Sequence, residues 1–349
     1  MYKVLSFFPP PLFAPTQMNK NSRLHTNSNI RNTVFSEIGI GISANSFLLL
    51  FYILKFIRGH RPRPTDVLIV LLALMHLLML IFTAFIVMDI FISLRGWDDT
   101  ICKLIVYLYR IFRGISLCTT CLLSVLQAIT LSPRQSYLAK FKHKFLHYNL
   151  YVLLFLSVFY ISISSHLSIT IVATPNLTSD NFMYVTNSCS LLPMSYLMRH
   201  IFSALLTLRE VFLISLMVLS SGYMVILLYR HKKQARHLHS TSLSPKASPE
   251  QRATRTILLL MSFFVVMSIL DSIISYSRTM LNDHPIFYCI QILVAHSYAA
   301  LSPLVFISIE VHTISFSESM CGRTAKISNS VNISPFKMNP YTDTLLVMK

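Results

Sequence analysis

VLIVLLALMHLLMLIFTAFIVM, Val67 to Met88, runs through 22 residues without an Asp, Glu, Lys or Arg. A bilayer core about 30 Å thick takes roughly 20 apolar residues to cross as a helix. The stretch is long enough to span, and it is too uniformly apolar to sit on a soluble surface. Leu150 to Val172 and Ile286 to Ile309 are uncharged runs of the same kind. Thr256 to Ser277 holds one charge, Asp271, and Ile38 to Ile57 holds Lys55 near its end. Ile201 to Tyr229 contains Arg209 and Glu210, and Lys103 to Thr130 contains Arg110, Arg113 and Gln127. The last is the weakest of the seven. Lipid offers no hydrogen-bond partner, so a spanning segment must pair its own backbone groups as a helix. The runs are about twice the length of a barrel strand and lack its alternation. The expected fold is all-α, a bundle of seven membrane-spanning helices over residues 34–309. Residues 1–33 form a tail before it and residues 310–349 a tail after it.

Composition agrees. Of 349 residues 54% are hydrophobic and 12% charged, with a mean hydropathy of +0.59; a soluble domain carries about 25% charged residues. Seven glycines exclude a glycine-rich chain, and six cysteines are too few for a disulfide scaffold. The net charge of +17 raises the question of nucleic acid. The positive residues, however, sit between the spans. After the first span come Lys55, Arg58, Arg61 and Arg63. After the third come Arg134, Lys140, Lys142 and Lys144. After the fifth come Arg230, Lys232, Lys233, Arg236, Lys246, Arg252 and Arg255. The opposite loops hold only Arg95, Lys103, Arg199 and Arg278. Short basic loops stay cytoplasmic. The bias places the N-terminus outside and the C-terminus inside, against a lesser signal from Lys3, Lys20, Arg23 and Arg31. The charge is therefore a topology signal, and no nucleic-acid partner is expected.

Residues 1–17 are broken by Pro9, Pro10 and Pro11 and show no clear leader-cleavage site. The sequon Asn176-Leu177-Thr178 falls in an outer loop, where glycosylation is expected, whereas Asn332-Ile333-Ser334 falls in the inner tail. Cys102 and Cys189 share the oxidising outer face, so a disulfide between them is expected, with two free thiols as the alternative. Cys118, Cys121 and Cys289 read as small core residues, and Cys321 is a palmitoylation candidate.

Charges inside a membrane are costly and face the bundle interior. Arg110 and Arg113 are three apart and share a helix face. They lie about 12 and 16 Å along the axis from Cys102 at 1.5 Å per residue, and Asp271 about 22 Å from Thr256. Arg209 and Glu210 fall at a similar depth. The expected small-ligand site at this level comprises Tyr109, Arg110, Arg113, Glu210 and Asp271. The competing reading is internal ion pairing, for example Glu210 with Arg110 or Arg113. Pro303 removes a ladder hydrogen bond and is either an activation hinge or a static bend. At the basic end, Gln127, Arg134, Arg230, Lys232, Lys233, Arg252 and Arg255 are candidates to face a cytoplasmic protein partner, the alternative being topology and contact with anionic lipid headgroups alone. His231, His237 and His239 sit among cations, so no metal is expected, and no cofactor motif is present. Gly-x-Ser-x-Gly, His-Glu-x-x-His and Gly-x-x-x-x-Gly-Lys are all absent, which disfavours an enzyme. A transporter or channel remains as the alternative, though seven glycines and no repeat disfavour it.

Seven helices with an outer N-terminus and an outer cysteine at the start of the third resemble the rhodopsin-like G-protein-coupled receptors. The usual signatures are replaced. The third helix ends SVLQAITLSPR, the seventh reads Ser302-Pro303-Leu304-Val305-Phe306, and the second has Met75-His76 where an aspartate is usual. CTTCLLSVLQAITLSPR (118–134), HRPRPTD (60–66), SSHLSITIVATPNLTS (164–179), NSCSLLPMSYL (187–197), the run from His231 to Met267 and AHSYAALSPLVFIS (295–308) together resemble the vomeronasal type-1 receptors. The likeness covers about residues 18 to 325, with a family-like start at Met18 and residues 1–17 as an extension or alternative start. It implies a multi-pass plasma-membrane receptor on vomeronasal sensory neurons. It further implies a small organic pheromone or chemosignal as ligand and coupling to a Gi/Go heterotrimeric G protein.

Overall fold

The apolar runs fold into seven helices among the described residues of the computed structural model. These residues are 28–59, 61–92, 97–133, 137–165, 170–173, 183–184, 186, 188–192, 195–238, 249–280 and 290–310. The helices are α1 (Ser28–Ile57), α2 (Pro64–Ile92), α3 (Asp99–Leu131), α4 (Tyr137–Ser164), α5 (Tyr196–Leu238), α6 (Pro249–Met280) and α7 (Ile290–Glu310). Three short strands lie between α4 and α5: β1 (Ile171–Ala173), β2 (Met183–Tyr184) and β3 (Cys189–Leu191), in the order β1-β3-β2, antiparallel.

Helix starts and stops follow local chemistry. Pro64 opens α2, where a missing N–H costs nothing. Asp98 caps α3, its carboxylate accepting from the Ile101 N–H at 2.8 Å. Just past the end of α1, Gly59 adopts φ +83°, a conformation that suits glycine, and its N–H donates to the Phe56 carbonyl.

Three expectations need correction. The segment judged weakest, Lys103 to Thr130, lies within a 33-residue helix that is the most buried of the long apolar helices. Its Arg, Ser and Thr content lowered its apparent fitness to span, yet α3 packs against α2, α4 and α5, so Ser116, Thr119, Thr120 and Ser124 are buried against protein. The shorter apolar stretches belong instead to α4 (Tyr151–Ser164) and α6 (Thr256–Asp271). The span expected at Leu150 to Val172 is shifted: α4 begins at Tyr137 and ends at Ser164, and Ile171 to Ala173 is strand β1. The β-branched Ile-Val pair joins the ladder to β3 rather than continuing the helix. Finally, α1 begins at Ser28, ahead of the boundary at residue 34.

The described residues up to Ile307 form one compact unit. Its core gathers Leu48 and Tyr52 of α1, Leu72 of α2, Leu123 and Leu126 of α3, Leu213 and Met217 of α5, Met261 of α6, and Tyr298 and Phe306 of α7. The outward faces are apolar too: Phe47, Leu154, Phe155, Leu208, Phe212 and Leu219 are exposed. A soluble protein rarely shows so broad an apolar surface; lipid is its natural contact.

Pro303 lies within α7. It has no N–H to give to the carbonyl of Ala299, four residues back. The buried Asn45 of α1 supplies the missing donor: its Nδ2 donates to Ala299 O at 2.9 Å and to Gly41 O at 2.8 Å. The proline thus ties α7 to α1.

Candidate functional site

The two ends of the bundle are fastened differently. At one, Cys102 of α3 and Cys189 of β3 form the expected disulfide. Around it, the buried Asp89 of α2 accepts from the Ser188 N–H at 2.8 Å and its hydroxyl at 2.6 Å, and Asp99 accepts from the Ala173 N–H at 2.6 Å. Ala173, Ser188 and Cys189, between α4 and α5, are therefore held against α2 and α3 by one covalent and several charge-assisted contacts. The other end carries the basic residues. There Lys55 and Asp66 pair at 3.5 Å, and hydroxyls bridge α3 to α5: Ser124 with Ser220 at 2.6 Å and Ser132 with Tyr223 at 3.0 Å.

Between these ends lie two polar groups. In the first, Arg113 of α3 pairs with Asp271 of α6, Nη2 donating to Oδ2 at 2.6 Å, while Nη1 donates to the Tyr109 hydroxyl at 3.2 Å. One turn of α3 separates Tyr109 from Arg113, so both project to one side. The Tyr109 ring lies 5.7 Å from that of His296 in α7. His296 Nδ1 donates to the Ile292 carbonyl at 2.7 Å, and its Nε2 lies 3.0 Å from the Thr83 hydroxyl of α2. Four helices thus meet through hydrogen bonds, an ion pair and one ring contact. Asp271 Oδ1 is buried and has no hydrogen-bond partner. The Arg113 side chain is 38% accessible and that of Asp271 16%.

In the second group, Arg209 of α5 lies 4.0 Å over the ring of Tyr160 in α4, and its Nη2 donates to Glu210 Oε1 at 3.0 Å. The Tyr160 hydroxyl donates to the Arg110 carbonyl of α3 at 2.9 Å. Gly114 makes the approach possible, since a Cβ there would overlap the Tyr160 ring.

Of the five residues expected in the site, Tyr109, Arg113 and Asp271 are in direct register, and Glu210 lies within electrostatic reach of Arg113. Arg110 is exposed and stands apart. The ion pairs differ from the suggested Glu210 with Arg110 or Arg113: Arg113 takes Asp271, and Glu210 takes its own neighbour Arg209. Arg110 and Arg113 are three apart, but α3 turns Arg113 into the bundle and Arg110 out of it. His296, Thr83 and Tyr160 were not singled out from sequence. Each is a lone polar or aromatic residue in an apolar run, and such residues are ordinarily core.

At the basic end, Gln127 is buried, its Oε1 without a partner, and Arg230 and Lys233 are exposed. Arg134, Asn176, Cys289, Cys321 and Asn332 lie outside the described residues, as do the side chains of Lys232, Arg252 and Arg255.

Residues 28–319 match the family model described as "Vomeronasal organ pheromone receptor family". Vomeronasal type-1 receptor 94 of Rattus norvegicus is 66% identical over 327 residues, covering 94% of this chain and 100% of that protein. Vomeronasal type-1 receptor 45 of Mus musculus is 66% identical over 314 residues, 90% of this chain and 98% of the relative. Vomeronasal type-1 receptor 48 of Mus musculus is 68% identical over 297 residues, 85% and 98% respectively.

Proposed function

The chain belongs to the vomeronasal organ pheromone receptor family, type 1, and from that premise we propose how it works: a small organic chemosignal enters from the disulfide end, and a Gi/Go heterotrimeric G protein is activated at the basic end. In this reading the disulfide end faces outward on the plasma membrane of vomeronasal sensory neurons. Two arguments support the orientation. The basic loops gather at one end, and the Cys102–Cys189 bond needs an oxidising compartment at the other. Asn176 then lies outside and carries a glycan, while Asn332 lies inside and does not.

One observation carries the binding site: the Arg113–Asp271 pair joins α3 to α6 while 38% of the Arg113 side chain stays accessible. Small-ligand sites are concave and mainly apolar, with a few convergent polar groups. Tyr109, Arg113, Asp271 and His296 are such a group, in the half of the bundle nearer the disulfide. A ligand that competes for either charge loosens a bond between α3 and α6. Both helices run on to the basic end, so binding there biases the surface that meets the G protein. Anionic lipid headgroups share that basic surface.

The test is a pair of variants, Arg113→Ala and Asp271→Asn, in cells with a G-protein readout. The expected result is a shift of ligand potency by about tenfold or more with surface expression retained. A fall in expression with unchanged potency in the surviving receptors assigns the pair to folding and refutes the pocket. Ligand-evoked ion flux in cells without G proteins would point to a channel or transporter.

A further inference from the structure

The turn between α1 and α2 has no part in the ligand or G-protein reading above. Arg58, Arg61 and Arg63 fall within six residues there, and all three are exposed. Among the described residues none of the three pairs with an acid. Their neighbour Lys55 behaves differently. Its ammonium lies 3.5 Å from the buried carboxylate of Asp66 and 5.0 Å from the centre of the Tyr52 ring. One cation thus joins α1 to α2, and three arginines stay exposed beside it.

The turn is stiffened by its own residues. Gly59 follows the end of α1 at φ +83°. Arg61 and Arg63 each precede a proline, Pro62 and Pro64, which favours an extended backbone at both arginines. Asp66, the third residue of α2, accepts from the Arg63 N–H at 3.4 Å, as the acid of a capping box does. The Val67 N–H donates to the Arg63 carbonyl at 3.2 Å. Arg63 is therefore held at its backbone while its side chain stays exposed. The depth of the turn is set as well. Ile53, Leu54 and Ile57, at the end of α1, are exposed, Ile57 at 76%. In a bilayer such side chains meet acyl chains, which brings Arg58, Arg61 and Arg63 to the headgroup level next to them.

We propose that the α1–α2 turn docks on an anionic lipid, a phosphoinositide whose inositol ring carries phosphate monoesters. A guanidinium fork binds two phosphate oxygens at once, whereas a lysine ammonium acts as a point charge. Three arginines on a stiff turn match a headgroup with several phosphates, and basic residues beside a span attract anionic lipids. The exposed Ile53, Leu54 and Ile57 give the acyl chains an apolar wall. A soluble acidic protein has no use for that wall, so the lipid fits better. Only the choice of the cytoplasmic leaflet rests on the orientation proposed above; docking itself needs neither chemosignal nor G protein.

The experiment uses the full-length receptor in detergent, with folding checked by its thermal midpoint. Phosphatidylinositol 4,5-bisphosphate, phosphatidylserine and phosphatidylcholine are added in competition, and native mass spectrometry counts the lipids retained. The expected result is retention of the bisphosphate over the other two. Arg58→Gln/Arg61→Gln/Arg63→Gln lowers its affinity by about a hundredfold. Arg230→Gln/Lys233→Gln, which removes exposed cations of α5 at the same end, leaves it nearly unchanged. The corresponding triple Lys variant keeps the charge without the forks; it binds about tenfold more weakly and carries the test if the Gln variant fails to fold. Equal retention of the three lipids overturns the proposal, as does wild-type affinity in either triple variant. An equal loss in the α5 variant also overturns it and assigns the arginines to topology alone. In phosphatidylcholine vesicles, which hold no anionic lipid, a weakened Go response of the Gln variant would assign the turn to the G protein instead. Bisphosphate retention by a receptor that never activates Go upholds the docking site and refutes the signalling reading.

Discussion

Arg113 and Arg209 sit in the same half of the bundle and meet the cost of burial in different ways. Arg113 pairs with a residue far away in sequence: Asp271, on another helix, with Tyr109 bonded to its second nitrogen and part of its surface open. Arg209 pairs with the residue next to it, rests on an aromatic ring, and leaves two nitrogens unbonded in a nearly closed setting. The first is a link between helices, so its loss changes how the bundle holds together. The second is anchored within the α3–α4–α5 wall, with Nε and Nη1 buried and unbonded. A buried ion pair is weak evidence of net stability, but removing one partner of such a pair is costly. The two arginines should therefore respond to substitution very differently.

The largest effect is expected at Asp271→Ala, which strands the Arg113 charge between α3 and α6. A destabilisation of about 3 kcal/mol, the low end of the range for a broken buried pair because the guanidinium is partly accessible, should appear as the greatest fall in thermal midpoint of the detergent-purified receptor. Next comes Gly114→Ala at about 2 kcal/mol, since the added methyl must displace the Tyr160 ring. The same melting assay checks it. Tyr160→Phe should cost about 1 kcal/mol, the hydrogen bond to Arg110 O, and keep the ring beneath Arg209. Tyr160→Leu in parallel separates that bond from the cation–π contact. Glu210→Gln should be the mildest, under about 1 kcal/mol, because the carboxylate is half exposed and geometrically ill suited to its neighbour. If Glu210→Gln melts as low as Asp271→Ala, the distinction between the two arginines is lost.

Much of this fold was legible in the chain because bilayer thickness sets the length of a spanning helix. The Val67–Met88 run lies wholly within α2. The partners of the charges were less legible. That Arg113, Asp271 and Arg209 share a level follows from counting residues along helices. Which of them touch depends on how far each helix is rotated about its axis, and packing decides that. Asp271 could be placed in depth but not in azimuth, so its bond to Arg113 was not foreseen. The end of α4 was misplaced for a similar reason: the run from Leu150 to Val172 is evenly apolar, and only the disulfide-anchored β3 draws Ile171 to Ala173 into a strand. Asn45 and Pro303 carry no mutual signal in sequence, although the proline's missing N–H is what the asparagine replaces.

The central claim is that this bundle turns an extracellular chemosignal into activation of a G protein. Nucleotide exchange on a purified Go heterotrimer, reconstituted in lipid vesicles with this receptor, tests it most directly. Exchange should accelerate when an active chemosignal mixture is added to wild-type receptor, and the response should weaken with Arg113→Ala at equal receptor density. Exchange that stays at the basal rate under every mixture, with folded receptor present, would contradict the account.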